Sequence, residues 1–127
     1  MNTWYSTLNK PFLTPPPAYF PIAWTILYIL MAISFGIILT KPKSKDKSLA
    51  ISFFVLQLIF NLIWSFIFFE QKNILLALID IIFIGIFLTI TMIYFYKLSK
   101  IAFGLLIPYC LQIIFAIYLN FSILILN

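Results

Sequence analysis

Four long apolar runs and three short polar interruptions make up most of this chain. The runs cover residues 18–40, 49–69, 73–96 and 101–126. A hydrocarbon core about 30 Å thick is crossed by roughly 20 apolar residues in a helix, so each run is long enough to span a membrane. The interruptions are Lys41-Pro42-Lys43-Ser44-Lys45-Asp46-Lys47-Ser48, Glu70-Gln71-Lys72 and Lys97-Leu98-Ser99-Lys100. The pattern predicts an all-α, polytopic transmembrane bundle of four spans, forming one domain over residues 1–127. Pro21 falls in the first turn of the first span, where a missing N–H costs little. Pro108, near the second turn of the fourth, predicts a kink or a late helix start. Residues 1–17 are not a span. Pro15-Pro16-Pro17 precludes an ordinary helix, and Trp4, Tyr5, Lys10 and Phe12 suit a membrane interface, so an ordered lid over one end of the bundle is expected.

Polar groups inside the runs are patterned. Gln57, Asn61, Trp64, Ser65 and Phe68 fall at i, i+4, i+7, i+8 and i+11, which is one stripe of a helix. In the first run Trp24, Tyr28, Met31 and Phe35 form a stripe, while Ala32, Ser34 and Gly36 are small enough for close helix approach. Asp80 is the carboxylate of the third run; Thr89 and Thr91 are placed to bond back to their own helix. In the fourth run Tyr109, Gln112, Ala116 and Asn120 share a face flanked by Phe115 and Leu119. Amides in hydrocarbon are costly without partners, so these stripes face protein or a bound molecule. Each taken alone reads as interhelical hydrogen bonding that holds the bundle together.

Composition narrows the function. The chain has 127 residues, 65% hydrophobic and 9% charged, and a mean hydropathy of +1.16, beyond what a soluble domain of this size can bury. There is no histidine, which removes the commonest metal and haem ligand and the Ser-His-Asp triad, and Cys110 is a single cysteine. No metal site and no resident cofactor are expected. The formal charge of +5 comes from dispersed lysines, unsuited to a nucleic-acid surface. Six of the eight lysines lie in the 41–48 and 97–100 connectors, which four spans place on one side. The positive-inside rule puts those connectors in the cytoplasm and both termini outside, across the cell membrane if the source is bacterial. On that assignment the polar and large aromatic groups of all four spans converge in the outer half of the bilayer, on the side of the lid. A recessed pocket beneath residues 1–17 is the physical consequence.

These residues also resemble a known family. Trp4-Tyr5, Lys10-Pro11 and Pro15-Pro16 look like the first loop of the translocator proteins, also called tryptophan-rich sensory proteins (TspO) or peripheral benzodiazepine receptors. Pro21-Ile22-Ala23-Trp24 with Leu27-Tyr28 and Met31 resembles a second family motif, and Gln57-Leu58, Asn61, Trp64-Ser65 and Phe68-Phe69 a third. Ala77-Leu78-Ile79-Asp80 and the series Pro108-Tyr109, Phe115-Ala116, Leu119-Asn120 resemble two more, in order and at family spacing. Family members have five spans, one ahead of the Trp-Tyr loop, and this sequence begins just before that loop. The expectation is a start further upstream, or a four-helix variant with an open flank that a homodimer would cover. Gln112 stands where many members have Trp, and no basic residue follows Tyr118 to complete a carboxy-terminal cholesterol-type pattern, although Leu88, Tyr94 and Lys97 fit the same loose formula.

The resemblance implies binding of porphyrins such as protoporphyrin IX, or of other planar hydrophobic molecules, under the first loop. Trp24 and Asn61 would supply polar contacts; Tyr28, Trp64, Ala116 and Leu119 would line the walls, with Gln57 and Phe68 on the same stripe. Trp4, Tyr5, Lys10, Pro11, Pro15, Pro16 and Asp80 would form or fix the lid, with Lys10 meeting Asp80 or a ligand propionate. Sensing, sequestering and transport all remain open on this reading. One alternative is light- or oxygen-dependent porphyrin breakdown, for which Asp80 is the sole candidate base. Another is a small proton-coupled multidrug transporter built around Asp80.

Overall fold

The computed structural model describes residues 19–127, with side chains from Pro21 onward. The lid expectations for Trp4, Tyr5, Lys10, Pro11, Pro15 and Pro16 lie outside the described residues. Four helices follow one another: α1 is Tyr19–Leu39, α2 is Lys45–Ser65, α3 is Ile74–Leu98 and α4 is Lys100–Leu126, and a π-helical turn, Phe66–Glu70, prolongs α2. All four are long and apolar enough to cross a membrane. Around the bundle α1 packs on α4, α4 on α3 and α3 on α2, whereas α1 and α2 touch little.

Helix ends explain where the elements differ from the sequence pattern. The second span begins at Lys45, four residues before its apolar run. Ser44, in extended backbone, accepts the Lys47 N–H at 3.0 Å, and Asp46 sits in the positive first turn. Capping therefore draws half of the expected basic connector into the helix. Lys47 Nζ donates to the carbonyls of Leu39 at 3.0 Å and Lys41 at 2.8 Å, closing the end of α1 with a cation. Asn73 caps α3 by accepting the Leu76 N–H. The 97–100 connector shrinks to Ser99, whose N–H donates to Phe95 O at 2.7 Å while its Oγ accepts the Ala102 N–H at 3.1 Å. Helix α4 starts at Lys100 and runs through Pro108 without interruption, so the late start does not occur.

The outside is apolar, as a bilayer demands. Ile22, Ile26, Ile29 and Ile33 form an outward stripe on α1, each half or more exposed. Inside, Phe54 stacks between Phe35 and Phe95, with ring centroids 4.6 and 5.8 Å apart. Of Ala32, Ser34 and Gly36, Ser34 is the one that bonds a neighbouring helix: fully buried, it donates to Ala102 O on α4 at 2.7 Å. Ala32 is exposed, and Gly36 has open space where a Cβ would stand.

The π turn sets the end of α2. Gln71 N–H reaches back to Phe66 O, and Asn73 N–H to Ile67 O, both at 3.1 Å. Widening the last turn in this way brings Phe68 and Phe69 together on the inner side, Phe68 buried and Phe69 half-buried. The chain then reverses through Lys72, at a left-handed φ of 55°. A non-glycine residue there carries a penalty of about 1–2 kcal/mol. Lys72→Gly is expected to leave stability unchanged or raise it by up to about 1 kcal/mol, and Lys72→Val to lower it, because a branched Cβ tolerates that conformation worst. Thermal unfolding in detergent reads both; a glycine variant clearly less stable than the parent would contradict this account of the turn.

Candidate functional site

Polar and aromatic side chains converge at the end of the bundle away from the Lys41–Lys47 and Lys97–Lys100 connectors. They come from the first half of α1, the last turns of α2, the first turns of α3 and the second half of α4. Between them lies a cavity of about 400 Å³. Helix α1 contributes Pro21, Trp24 and Tyr28; α2 and its π turn contribute Asn61, Trp64, Ser65, Phe68 and Phe69. Ile81 and Ile84 come from α3, and Gln112, Ile113, Ala116, Leu119, Asn120 and Ile123 from α4. The volume is in the range of small-molecule sites, and so is the character of the wall, mostly apolar with a few polar groups.

Two hydrogen-bonded chains hold the wall in shape. In the first, the Tyr28 hydroxyl donates to Asn61 Oδ1 at 2.6 Å and Asn61 Nδ2 donates to the Tyr109 hydroxyl at 2.9 Å. Tyr109, fully buried, then donates to Gln57 Oε1 at 2.7 Å. This chain ties α1 to α2 where the two helices otherwise touch little, and ties both to α4. In the second, Trp64 Nε1 donates to Asn120 Oδ1 at 2.9 Å, and Asn120 Nδ2 donates to Ile74 O at 3.1 Å. It joins α2, α4 and the first turn of α3. No described residue accepts from the Trp24 indole N–H.

The rings are arranged in two groups. Trp64 lies nearly parallel to Phe68 at 5.0 Å and edge-on to Phe69 at 6.1 Å. Trp24 sits 5.8 Å from Tyr28 and 6.1 Å from Tyr109, edge-on to the latter. The cavity is thus flanked by aromatic clusters on α1 and α2, with an aliphatic wall from α3 and α4.

Of the residues the sequence pattern nominates, Trp24, Tyr28, Asn61, Trp64, Phe68, Ala116 and Leu119 stand in the cavity wall. Gln57 does not. It lies one turn before Asn61, fully buried and bonded to the Tyr109 hydroxyl, and its Nε2 makes no hydrogen bond among the described residues. Asn61 stands in the wall with both ends of its amide engaged by tyrosines, which makes it a support for Tyr28 and Tyr109. Asp80 is buried in α3 but outside the wall, and its Oδ2 has no hydrogen-bond partner among the described residues. The nominations miss Asn120, Gln112 and the buried Tyr109 brace. The i, i+3, i+7, i+11 spacing of Tyr109, Gln112, Ala116 and Asn120 is the signal that marks them.

What this arrangement can do is bind. Flat aromatic faces, an aliphatic floor and polar groups largely occupied by one another suit a planar apolar molecule.

Known proteins share the pattern over its length. The profile of the TspO/MBR family matches residues 1–126. A tryptophan-rich protein TspO of Chlorobaculum tepidum is 42% identical over 125 residues, covering 98% of this chain and 79% of that protein. The tryptophan-rich protein TspO of Archaeoglobus fulgidus is likewise 42% identical, over 100% of this chain and 82% of the relative. Similarity extends to the translocator protein of Sus scrofa, 29% identical over 94% of this chain and 72% of the pig protein. An integral, multi-pass membrane protein with this match, these spans and this aromatic cavity belongs to the TspO/MBR family.

Proposed function

We propose that this protein is a membrane receptor for planar, largely apolar ligands of the porphyrin class, protoporphyrin IX among them, held in the cavity between the four spans. The observation that carries this reading is the shape and chemistry of the wall: about 400 Å³, aromatic on two sides, aliphatic on the others. A tetrapyrrole is a flat π-system whose faces match tryptophan and tyrosine rings. Relatives named tryptophan-rich sensory protein and translocator protein support a receptor role at the level of the family. Asp80 lies outside the cavity wall, so a proton-coupled carrier centred on that carboxylate has less support.

The same reading includes sidedness. Six lysines and Asp46 collect at one end of the bundle, and the aromatic cavity lies at the other. The lysine connectors face the cytoplasm on this proposal, and the cavity end faces away from it.

The protein is expected to show quenching of its tryptophan fluorescence on titration with protoporphyrin IX in detergent. Trp24→Ala should weaken binding by roughly tenfold or more, and Trp24→Phe should weaken it less because a flat ring remains. Asn61→Ala takes away the acceptor of the Tyr28 hydroxyl and the donor to buried Tyr109, which keeps only its bond to Gln57, and losing such a partner costs about 1–3 kcal/mol. That variant should lose both thermal stability and affinity. Ile82→Ala, on the exposed side of α3, should change affinity little. Wild-type binding by both Trp24→Ala and Asn61→Ala would move the ligand elsewhere and leave the two chains as helix bracing alone.

Sidedness is read separately, in a Cys110→Ser background. Gln71→Cys should react with a membrane-impermeant maleimide in intact cells, and Lys45→Cys only after permeabilisation. The opposite pattern would reverse the orientation.

A further inference from the structure

We propose that the outer face of α1 and α4 holds one single-chain acidic phospholipid. Its tail lies in a groove between the two helices, its free glycerol hydroxyl on the Gly104 carbonyl and its phosphate at Lys100. The site is separate from the cavity between the spans and independent of what fills it. The argument starts from a covalent fact. Pro108 lies inside α4 and has no N–H, so the carbonyl of Gly104 lacks the donor that the next turn of a helix supplies. Gly104 and Pro108 are both exposed, and a Cβ on Gly104 would meet nothing within 4 Å. The unsatisfied carbonyl therefore opens on the bilayer through a notch, and hydrocarbon offers it no donor.

The surroundings say what kind of donor fits. Toward the cavity end, the notch continues into a groove lined chiefly by Ala23, Ile26 and Leu27 of α1 and by Pro108, Leu111 and Phe115 of α4. From Gly104 to Phe115 the helix rises roughly 16 Å, enough to lay down most of one acyl tail. In the other direction Lys100 stands one turn away on the same stripe. It is exposed, its ammonium lies 5.8 Å from the Tyr96 ring centroid, and no carboxylate pairs with it among the described residues. It belongs to the end of the bundle where six lysines meet one acidic residue, Asp46, so an anion is favoured there. A cation, a lone acceptor about 6–9 Å deeper and then an apolar groove match the phosphate, hydroxyl and tail of a lysophospholipid in order. A diacyl phospholipid has an ester in place of the hydroxyl, and an ester has no hydrogen to give. A monoacylglycerol has the hydroxyl and lacks the charge.

The test uses the full chain in a neutral detergent, with bound lipid counted and affinity read by native mass spectrometry. The ligands are oleoyl lysophosphatidic acid, its 2-O-methyl ether, dioleoyl phosphatidic acid and monoolein. Lysophosphatidic acid should fill one site, and methylating its hydroxyl should weaken binding about fivefold, the worth of one neutral hydrogen bond. Lys100→Gln should weaken lysophosphatidic acid by a similar factor and leave monoolein unchanged. Pro108→Ala supplies an N–H to the Gly104 carbonyl, so the acid and its methyl ether should then bind alike. Gly104→Leu sends a side chain into the open notch; it should keep the thermal stability of the parent and lower lysophosphatidic acid affinity more than tenfold. Equal binding of the acid and its methyl ether by the parent protein would overturn the site. So would a preference that survives in Pro108→Ala, or unchanged affinity in Gly104→Leu. Dioleoyl phosphatidic acid binding as tightly as the lyso form would overturn the single-chain assignment.

Discussion

A hydrogen-bonding group inside a membrane has no water to fall back on, and this bundle is organised around that constraint. Its spans carry amides, hydroxyls and indoles that a lipid chain cannot satisfy. Tyr28, Asn61, Tyr109 and Gln57 bond one another in sequence across three helices, leaving the Gln57 Nε2 without a partner among the described residues. Trp64 and Asn120 do the same and end on a backbone carbonyl of α3. Because each bond joins different helices, fulfilling local polarity also fixes the relative rotation of the spans. The cavity is the space left when these chains are closed, and its neutral lining follows from the same pairing.

Much of this was legible in the sequence, for a physical reason. Membrane spans declare themselves by length and apolarity, and a polar residue within one must face inward, so Asn61, Trp64 and Asn120 could be assigned to the interior without a structure. Which inward residues reach the cavity was harder to read. Gln57 and Asn61 share a stripe one turn apart, yet only Asn61 is in the wall. The Gln57 amide oxygen is taken by the Tyr109 hydroxyl, which comes from another helix, and helical periodicity within α2 says nothing about that. The engagement of Asn61 by two tyrosines was hidden for the same cause: it depends on the rotation of α1 and α4, which no single helix encodes.

Boundaries were misread where local chemistry outweighed hydropathy. The basic residues from Lys45 to Ser48 look like a connector, but Ser44 caps them into a helix. Ser99 serves two helices at once, so a four-residue polar segment narrows to a single residue. The π turn at Phe66–Glu70 left no trace in the apolar run, since every residue from Phe66 to Phe69 is hydrophobic under either winding. Its effect is on which rings turn inward, and it is Phe69 that joins Phe68 and Trp64 at the cavity.

The double duty of Ser99 has a mechanical side. A joint of one residue, with its N–H committed to α3 and its hydroxyl to α4, leaves almost no slack between those helices, so they behave as a stiff hairpin. The segment from Thr40 to Ser44 between α1 and α2 is longer, and the bond from Ser34 to Ala102 O joins α1 to α4 toward the lysine end. The slack between neighbouring spans is therefore unequal around the bundle. The Tyr28–Asn61 bond is what ties α1 to α2 at the cavity end. Of the joints between spans, the one at Ser99 is therefore the shortest, and the one at 40–44 the joint with most chain to spare.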